Sequence, residues 1–242
     1  MNKFLFYCAD FDENTAIIVE EDFRHATKVL RYGIGADIQC TDGQGNHFIG
    51  KIQEINKKEL KLIIETKNFT PPREKQLHIA IAPTKNMSRI ETMIEKCVEI
   101  GVDEISFLKT KNSERKVIKL DRVHKIALSA MKQSFRTRIP VLNEMTSYPQ
   151  FLDHASTNVF DHASANVCKY LLNYKPDASH LLDSKWVDKN LVLVGPEGDF
   201  TCEEIENAEK AGFETRILGN AKLRTETAGI VACSIFNVIN RQ

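Results

Sequence analysis

Three short segments in the second half of the chain carry the residue types expected of a small-ligand site. Gly195-Pro196-Glu197-Gly198 directly follows the apolar run 191–194, which is typical of a strand buried on both faces. Its glycines and proline interrupt helix and strand, so they predict a tight, exposed turn. Residues 218–225 form a second loop, and Leu171-Leu172-Asn173 ends another apolar run. Since open α/β sheets bind ligands beyond the carboxyl ends of their strands, these segments predict one binding edge.

The elements around these loops follow from local signals. Thr201 and Glu204 have the spacing of a capping box, which predicts a helix that ends at Gly212 and leads into a strand over residues 214–218. Strand, turn, helix, strand and loop together indicate a βαβα unit. The chain contains neither G-x-G-x-x-G nor G-x-x-x-x-G-K-[ST], which argues against the two commonest nucleotide-binding loops. A purely structural crossover is the alternative interpretation.

Two sequence signatures carry a family resemblance. GPEGDF at 195–200 followed by LGNAKLRTETA at 218–228 resembles the paired signatures of the RsmE family, the 16S ribosomal RNA (uracil-N3)-methyltransferases of the SPOUT (trefoil-knot) superfamily. Residues 81–105, the triplet 113–115 and residues 133–140 extend the resemblance along the chain. Asp199 and Phe135 stand where the family commonly has glycine, and Asn220-Ala221-Lys222 is atypical.

The resemblance implies an α/β fold in which a small PUA-like β-barrel RNA-binding domain (1–70) precedes a knotted, parallel-sheet SPOUT methyltransferase domain (71–242). Residue patterns agree: residues 35–65 alternate between apolar and polar with turn signals at 42–46 and 56–59. Beside them, residues 22–31 have helical spacing, with Phe23, Ala26, Val29 and Leu30 on one face. Residues 3–8 predict a first strand, and residues 68–76 a linker. Residues 77–108 predict a βαβ unit whose helix begins with a capping box at Ser88 and Glu91.

The final helix, predicted over residues 225–240, is apolar almost all round and rich in small residues. Such a helix is either threaded into the core or covered by a second subunit. The resemblance implies both a trefoil knot and a homodimer. Trp186 is expected to be a packing residue.

The resemblance also implies that S-adenosylmethionine is the cofactor. Glycines let the backbone approach it, and Leu193, Leu218 and Leu223 are expected to enclose its adenine. The predicted cofactor-binding residues are Leu171, Leu172, Asn173, Leu193, Gly195, Pro196, Glu197, Gly198, Leu218, Gly219, Asn220, Leu223, Arg224, Thr225 and Ala228.

Methylation of uracil N3 requires removal of a weakly acidic proton, so a carboxylate base is expected. Glu197 and Glu226 are the candidates. We favour Glu197, because the dipole of the final helix stabilises the carboxylate of Glu226 and weakens it as a base. Arg224 is expected to stabilise the uracilate oxygens or to hold a phosphate.

The charge distribution predicts an RNA-binding surface, although the totals of basic and acidic residues are equal at 33. Residues 109–138 contain ten lysines and arginines but only two acidic residues. A solvated helix face is the alternative for this block, and for the side chains at 24–31. The predicted RNA-binding residues are Arg24, Lys28, Arg31, Lys85, Arg89, Arg115, Arg136 and Arg138. The implied partner is small-subunit ribosomal RNA, in the assembled 30S subunit.

Other classes of site find less support. The six cysteines form no C-x-x-C and predict reduced, packed thiols of a cytoplasmic protein, and no segment has the pattern of a signal peptide or membrane span. The near-repeats Asp153-His154-Ala155-Ser156 and Asp161-His162-Ala163-Ser164 lack further ligands, so no metal is expected. Two other functions remain open: a non-catalytic RNA-binding or ribosome-assembly factor, and a methyltransferase with another RNA target or a ribose 2′-OH acceptor.

Overall fold

The computed structural model describes residues 4–8, 10–156, 166–175 and 177–240. The chain divides into two compact units. The first contains residues 1–72 and 128–139, and the second contains residues 73–127 and 140–242. The predicted order, a small β unit followed by a parallel α/β unit, is confirmed.

The first unit is built on a six-stranded sheet with the strand order β1-β4-β5-β6-β3-β2. Its elements are β1 (Phe6–Tyr7), β2 (Asp10–Phe11), β3 (Thr15–Val19), α1 (Glu20–Arg24) continuing as a π-helical turn (His25–Val29), β4 (Asp37–Thr41), β5 (Asn46–Ile55) and β6 (Glu59–Phe69). The hairpins predicted at 42–46 and 56–59 join β4 to β5 and β5 to β6. The core contains Phe6, Ile18, Ile38, Phe48 and Leu62.

Two local predictions for this unit were wrong in detail. The strand predicted from residue 3 is limited to Phe6–Tyr7 among the described residues. The helical face at 22–31 buries Phe23 and Ala26, whereas Val29 is 68% exposed. The wider π-helical turn over His25–Val29 accounts for this, because it changes the angular spacing of side chains from that of an α-helix.

The second unit is an α/β structure around a fully parallel six-stranded sheet with the order β12-β10-β11-β7-β8-β9. Its elements are β7 (Gln76–Ile81), α2 (Met87–Ile100), β8 (Glu104–Lys109), α3 (Leu120–Gln133, whose last turns belong to the first unit), β9 (Val141–Ser147), α4 (Tyr148–Ser156), β10 (Val167–Leu172), a 3₁₀ turn (Leu181–Asp183), β11 (Lys189–Val194), α5 (Cys202–Lys210), β12 (Glu214–Arg216) and α6 (Thr225–Ile239).

Helix starts show which local signals were decisive. The capping box of Thr201 and Glu204 at α5 is confirmed, with both reciprocal bonds formed. The capping box predicted at Ser88 and Glu91 is wrong, since the N-cap of α2 is Asn86, two residues earlier, and its side chain accepts from the Ser88 N–H at 3.0 Å. Asparagine and serine are about equally good N-caps, so the sequence alone did not separate them.

The connection predicted as a linker over 68–76 is shorter, because β6 continues through Phe69 and β7 begins at Gln76. Arg73 in this segment is fixed to the second unit. Its guanidinium pairs with Asp103, donates to the Asn237 Oδ1 at 2.6 Å and lies 4.9 Å from the ring centroid of Phe236.

The last helix packs closely against α2. A Cβ on Gly229 would lie 3.1 Å from the Met93 sulfur, so glycine permits the close approach predicted for this helix. Phe236 is fully buried and contacts Trp186, a packing residue as predicted, at 5.1 Å between ring centroids. Val238 is 57% exposed at the end of α6. The knot and the homodimer stay predictions of the family resemblance.

The six cysteines are unpaired thiols, but they are not all packed as predicted. Cys8, Cys40, Cys97 and Cys233 are buried, Cys168 is half-buried and Cys202, the first residue of α5, is exposed. The second near-repeat, Asp161-His162-Ala163-Ser164, lies outside the described residues, as does Pro176.

A buried polar cluster lies among β7, β8 and β9. His78 Nε2 is 2.8 Å from the Ser106 hydroxyl, which also accepts from the Asn143 amide at 2.9 Å. Burial lowers the pKa of His78 from 6.5 to about 4, although the nearby Glu104 carboxylate partly opposes this. The histidine is therefore neutral in the folded protein at neutral pH.

We expect this histidine to make folding stability pH-dependent. The unfolded chain binds the proton near pH 6.5 but the folded chain only near pH 4, so stability falls as the pH drops between these values. The difference between pH 7.5 and pH 5 should be about 2 kcal/mol. Urea titration at both pH values measures it, and His78→Gln should remove this part of the change. An equal pH dependence in the variant would contradict the assignment.

Candidate active site

The carboxyl ends of β10, β11 and β12 border a cleft in the second unit. Because these three strands are neighbours and parallel, the loops that follow them leave the sheet at the same edge. The cleft contains about 550 Å³ of space not filled by atoms, part of which is open to solvent. Its lining combines apolar side chains with a few polar and charged ones.

Nine of the predicted cofactor-binding residues line this cleft: Leu172, Asn173, Gly195, Pro196, Leu218, Gly219, Leu223, Thr225 and Ala228. Seven lining residues were not predicted: Tyr174, Val194, Asp199, Arg216, Ile217, Ala221 and Lys222. All seven are immediate neighbours of the predicted segments, so extending each segment by one or two residues would have included them. Glu197, Gly198, Asn220 and Arg224 are close in sequence but are not part of the lining.

Leu171 and Leu193 lie on the other face of the sheet. They are register partners in neighbouring strands and both belong to a core cluster with Tyr148 and Phe200. Side chains alternate between the faces of a strand, so the following residues, Leu172 and Val194, face the cleft instead. The structure therefore does not bring the Leu193 side chain to the place predicted for adenine.

The turn at residues 195–198 is held by close packing. A Cβ on Gly195 would lie 3.0 Å from the Phe200 ring, and one on Gly198 would lie 3.2 Å from Asn112 Cβ. The Asn112 amide donates to the carbonyls of Gly198 at 3.2 Å and of Asp199 at 3.0 Å. Asn112 was missed by the sequence analysis, because its role depends on a contact across 86 residues.

The two positions that depart from the family's glycines have left-handed backbones. Asp199 has φ 62° and Phe135 has φ 55°. Aspartate tolerates this conformation, and here its Oδ1 accepts from the Phe200 N–H at 3.0 Å. No comparable side-chain contact supports Phe135, which is 49% exposed among the described residues. A glycine at either position would adopt this φ without strain.

Arg89 of α2 lies between the two candidate bases. Its Nη1 is 3.0 Å from Glu197 Oε1, and its Nε is 3.9 Å from Glu226 Oε1. The Glu197 side chain is 40% exposed, whereas that of Glu226 is only 13% exposed. Among the described residues, Glu226 Oε2 and Trp186 Nε1 are the buried side-chain polar atoms without a hydrogen-bond partner.

This geometry reverses the order of preference between the two carboxylates. Glu197 is partly solvated and occupied by Arg89, so it has the properties of a turn-stabilising residue. Glu226 keeps one buried oxygen free to accept a proton or a hydrogen bond, in the first turn of a helix whose Thr225 and Ala228 line the cleft. Leaving a buried acceptor unpaired is costly, which is typical of a functional group that awaits its partner. Arg224, the N-cap residue of α6, is exposed.

The predicted RNA-binding residues differ in availability. Arg24, Lys28 and Arg31 are exposed in the first unit. Lys85 pairs with Glu114 at 3.0 Å, which raises the pKa of the lysine.

Arg115 and Arg138 already donate hydrogen bonds to backbone carbonyls within the protein. The Arg115 guanidinium donates to the carbonyls of Thr84 and Lys85. Arg138 Nε donates to the Thr70 carbonyl at 2.9 Å, and Arg136 is half-buried.

The basic block at 109–138 is not a single free surface. Arg122 pairs with Glu91 at 2.6 Å and Lys132 pairs with Asp22 at 2.5 Å, and Lys132 is only 20% exposed. The block is also divided between the two units at residue 127. Part of its positive charge therefore neutralises acidic residues within the protein.

Other classes of site find no support among the described residues. No group of three or more His, Cys, Asp or Glu side chains there is arranged to hold a metal ion. None of the helices in the same part of the chain has the length and apolarity needed to cross a membrane.

Comparisons with known proteins match both parts of the chain to RNA methyltransferase domains. Residues 71–237 match the model of an RNA methyltransferase domain, and residues 19–65 match that of an RNA methyltransferase PUA domain. Ribosomal RNA small subunit methyltransferase E of Mesomycoplasma hyopneumoniae is 34% identical over 93% of this chain and 95% of its own. The Bacillus subtilis protein of the same name is 28% identical over 91% and 88%.

Solved structures show the same fold over the whole chain. A probable rRNA-methyltransferase from Porphyromonas gingivalis superposes with a TM-score of 0.85 at 34% identity, covering 97% of both chains. Ribosomal RNA small subunit methyltransferase E from Neisseria gonorrhoeae, bound to S-adenosyl methionine, gives 0.84 at 24% identity and covers 98% of both. The chain thus belongs to the RNA methyltransferase family that includes ribosomal RNA small subunit methyltransferase E, as its two signature loops predicted.

Proposed function

We propose that this protein transfers a methyl group from S-adenosylmethionine to N3 of a uridine in 16S, small-subunit ribosomal RNA. The observation that carries the proposal is the cleft at the carboxyl edge of the parallel sheet, next to a buried carboxylate with one unpaired oxygen. The relatives' names support the class of substrate, and the cofactor of the Neisseria gonorrhoeae structure supports the methyl donor.

The residues of the cleft suit an adenosyl group. Leu172, Val194 and Leu223 supply apolar surface for a purine, while Asn173 and Asp199 supply polar side chains for hydroxyl groups. The glycines at 195 and 219 let backbone groups contribute to binding. When bound, S-adenosylmethionine supplies an electrophilic methyl group on a sulfonium.

Glu226 is the proposed acceptor of the N3 proton. Its Oε2 is buried and has no hydrogen-bond partner, so it is available to take up the proton that leaves uracil N3. Arg89 orients the other oxygen of this carboxylate and also holds Glu197. Arg224, exposed just before Thr225, is proposed to stabilise the negative charge that develops on the uracil oxygens, and Glu197 is proposed to hold the turn.

The remaining expectations are proposals on the same basis. Residues 1–70 form an RNA-binding domain and residues 71–242 the catalytic domain. The RNA contacts are Arg24, Lys28, Arg31, Arg136 and Arg138 with Lys85, Arg89 and Arg115, several of which already have partners within the protein. The substrate is the RNA in the assembled 30S subunit, and the enzyme acts as a cytoplasmic homodimer.

Calorimetry and a transfer assay together test the function. We expect the purified protein to bind S-adenosylmethionine with a micromolar Kd and to move its tritiated methyl group onto 30S subunits from cells that lack the gene. Mass mapping of the methylated nucleoside should find 3-methyluridine. Absence of binding at millimolar cofactor would favour a non-catalytic RNA-binding protein, and a 2′-O-methyl product would favour the ribose acceptor.

A further inference from the structure

Aromatic and basic side chains alternate on one face at the end of β6 in the first unit. Lys67 and Phe69 are two residues apart in this strand and therefore share a face. Lys67 Nζ lies 5.1 Å from the ring centroid of Phe11, and the Arg138 guanidinium carbon lies 5.3 Å from that of Phe69. Phe11, Lys67, Phe69 and Arg138 are called the aromatic–cation strip below.

The aromatic–cation strip lies at the edge of the first unit's hydrophobic core, where its aromatic rings become exposed. Lys67 pairs in register with Phe48, which is fully buried, whereas Phe11 is 36% exposed and Phe69 is 61% exposed. Because most of the Phe69 side chain is exposed, its burial contributes little to the stability of the fold. The uncovered part of the Phe69 ring is available to a flat ligand.

Arg138 is held in place by the surrounding backbone. Its Nε donates to the Thr70 carbonyl at 2.9 Å, directly after Phe69. Gly45 lies against the same guanidinium, and a Cβ there would collide with both Arg138 and the Thr70 carbonyl. The lack of a side chain at Gly45 thus leaves room for Arg138 beside the Phe69 ring, and the Thr70 carbonyl fixes the arginine Nε. The terminal nitrogens of Arg138 keep N–H donors for a further acceptor.

We propose that the aromatic–cation strip binds an unpaired segment of the RNA substrate, with one base stacked on Phe69 and neighbouring phosphates contacted by Lys67 and Arg138. This inference rests on the proposed function, because it names the part of the RNA that the first unit recognises. Ring faces stack on bases of any sequence, and the two cations complement the phosphate charge. Bases of a duplex already stack on each other, so the ring selects single-stranded RNA.

The test measures binding of a fluorescein-labelled, 12-nucleotide single-stranded RNA of mixed sequence by anisotropy. In the full-length protein, Phe69→Ala should weaken binding roughly 5- to 150-fold, the range for loss of one stacked base. Ile63→Ala is the matched control, since it removes a 43% exposed apolar side chain from the same strand and should leave the affinity unchanged. The same RNA in a duplex should bind equally well to wild type and Phe69→Ala.

A second variant reports on stacking directly. Phe69→Trp should retain binding, and its added tryptophan fluorescence should be quenched by the unlabelled single strand. The wild-type protein, whose single tryptophan is the buried Trp186, provides the background signal. Folding of each variant is checked by its urea midpoint.

The outcomes separate this inference from the proposed function. Equal affinities of wild type and Phe69→Ala, or no binding of the single strand by wild type, would overturn the role of the strip even if methyl transfer to 30S subunits is normal. Loss of self-association in Phe69→Ala with unchanged RNA affinity would assign the strip to a protein contact instead. Failure of wild type to bind cofactor would refute the proposed function, while the stacking result would stand.

Discussion

Replacement of Glu226 by glutamine is expected to lower the rate of methyl transfer about 10²–10⁴-fold, the usual contribution of a general base. The amide has nearly the same shape but does not take up the N3 proton. Its side chain does not line the cleft, so the affinity for S-adenosylmethionine measured by calorimetry should change little. Single-turnover assays with tritiated cofactor and 30S subunits measure the effect on kcat separately from binding.

Glu197→Gln provides the matched control, because both carboxylates contact Arg89 but only Glu226 has a buried, unpaired oxygen. We expect this variant to keep most of the transfer activity. A large loss in Glu197→Gln with near-normal Glu226→Gln would restore the preference drawn from the sequence.

Replacement of Gly50 by alanine is expected to destabilise the first unit by about 4 kcal/mol, at the upper end of single substitutions. The added Cβ would collide with the carbonyl of Ile63 in the neighbouring strand, a backbone group that does not move aside as a side chain would. Gly50 lies at an irregularity in the β5–β6 register. Urea unfolding followed by circular dichroism measures the loss.

Gly33→Ala is the control for this substitution, since nothing lies within 4 Å of a Cβ at that position. We expect the free energy of unfolding to change by no more than about 0.5 kcal/mol, or to rise slightly because alanine makes the unfolded chain less flexible. If Gly50→Ala unfolded at the same urea concentration as wild type, the close strand approach at Ile63 would not exist in solution. Cofactor affinity, which belongs to the second unit, serves as a check that the variant retains that unit.

Local signals were sufficient wherever a few consecutive residues dictate the outcome. The capping box at Thr201 and the left-handed Gly212, with φ 86°, bound helix α5 as predicted. The hairpin turns and the apolar runs also identified the two sheets. Where two caps of similar strength compete, as Asn86 and Ser88 do, the predicted helix start was misplaced by two residues.

The candidate site was predictable in outline but not in its electrostatics. The signature loops gave seven of the residues that line the cleft, and the segment 171–173 gave two more. Leu171 and Leu193 were assigned to it because their strands end there, yet the alternation of side chains turns them into the core.

The sequence by itself determined the family, the order of a β unit and a parallel α/β unit, and the loops that border the cleft, because these depend on periodicity, glycines and caps close together along the chain. Only the tertiary structure decided which carboxylate is free. Arg89 is 108 residues from Glu197 in sequence, and its position between that residue and Glu226 arises from the packing of α2, the turn and α6. Burial and pairing are properties of contacts between distant segments, which one sequence does not specify.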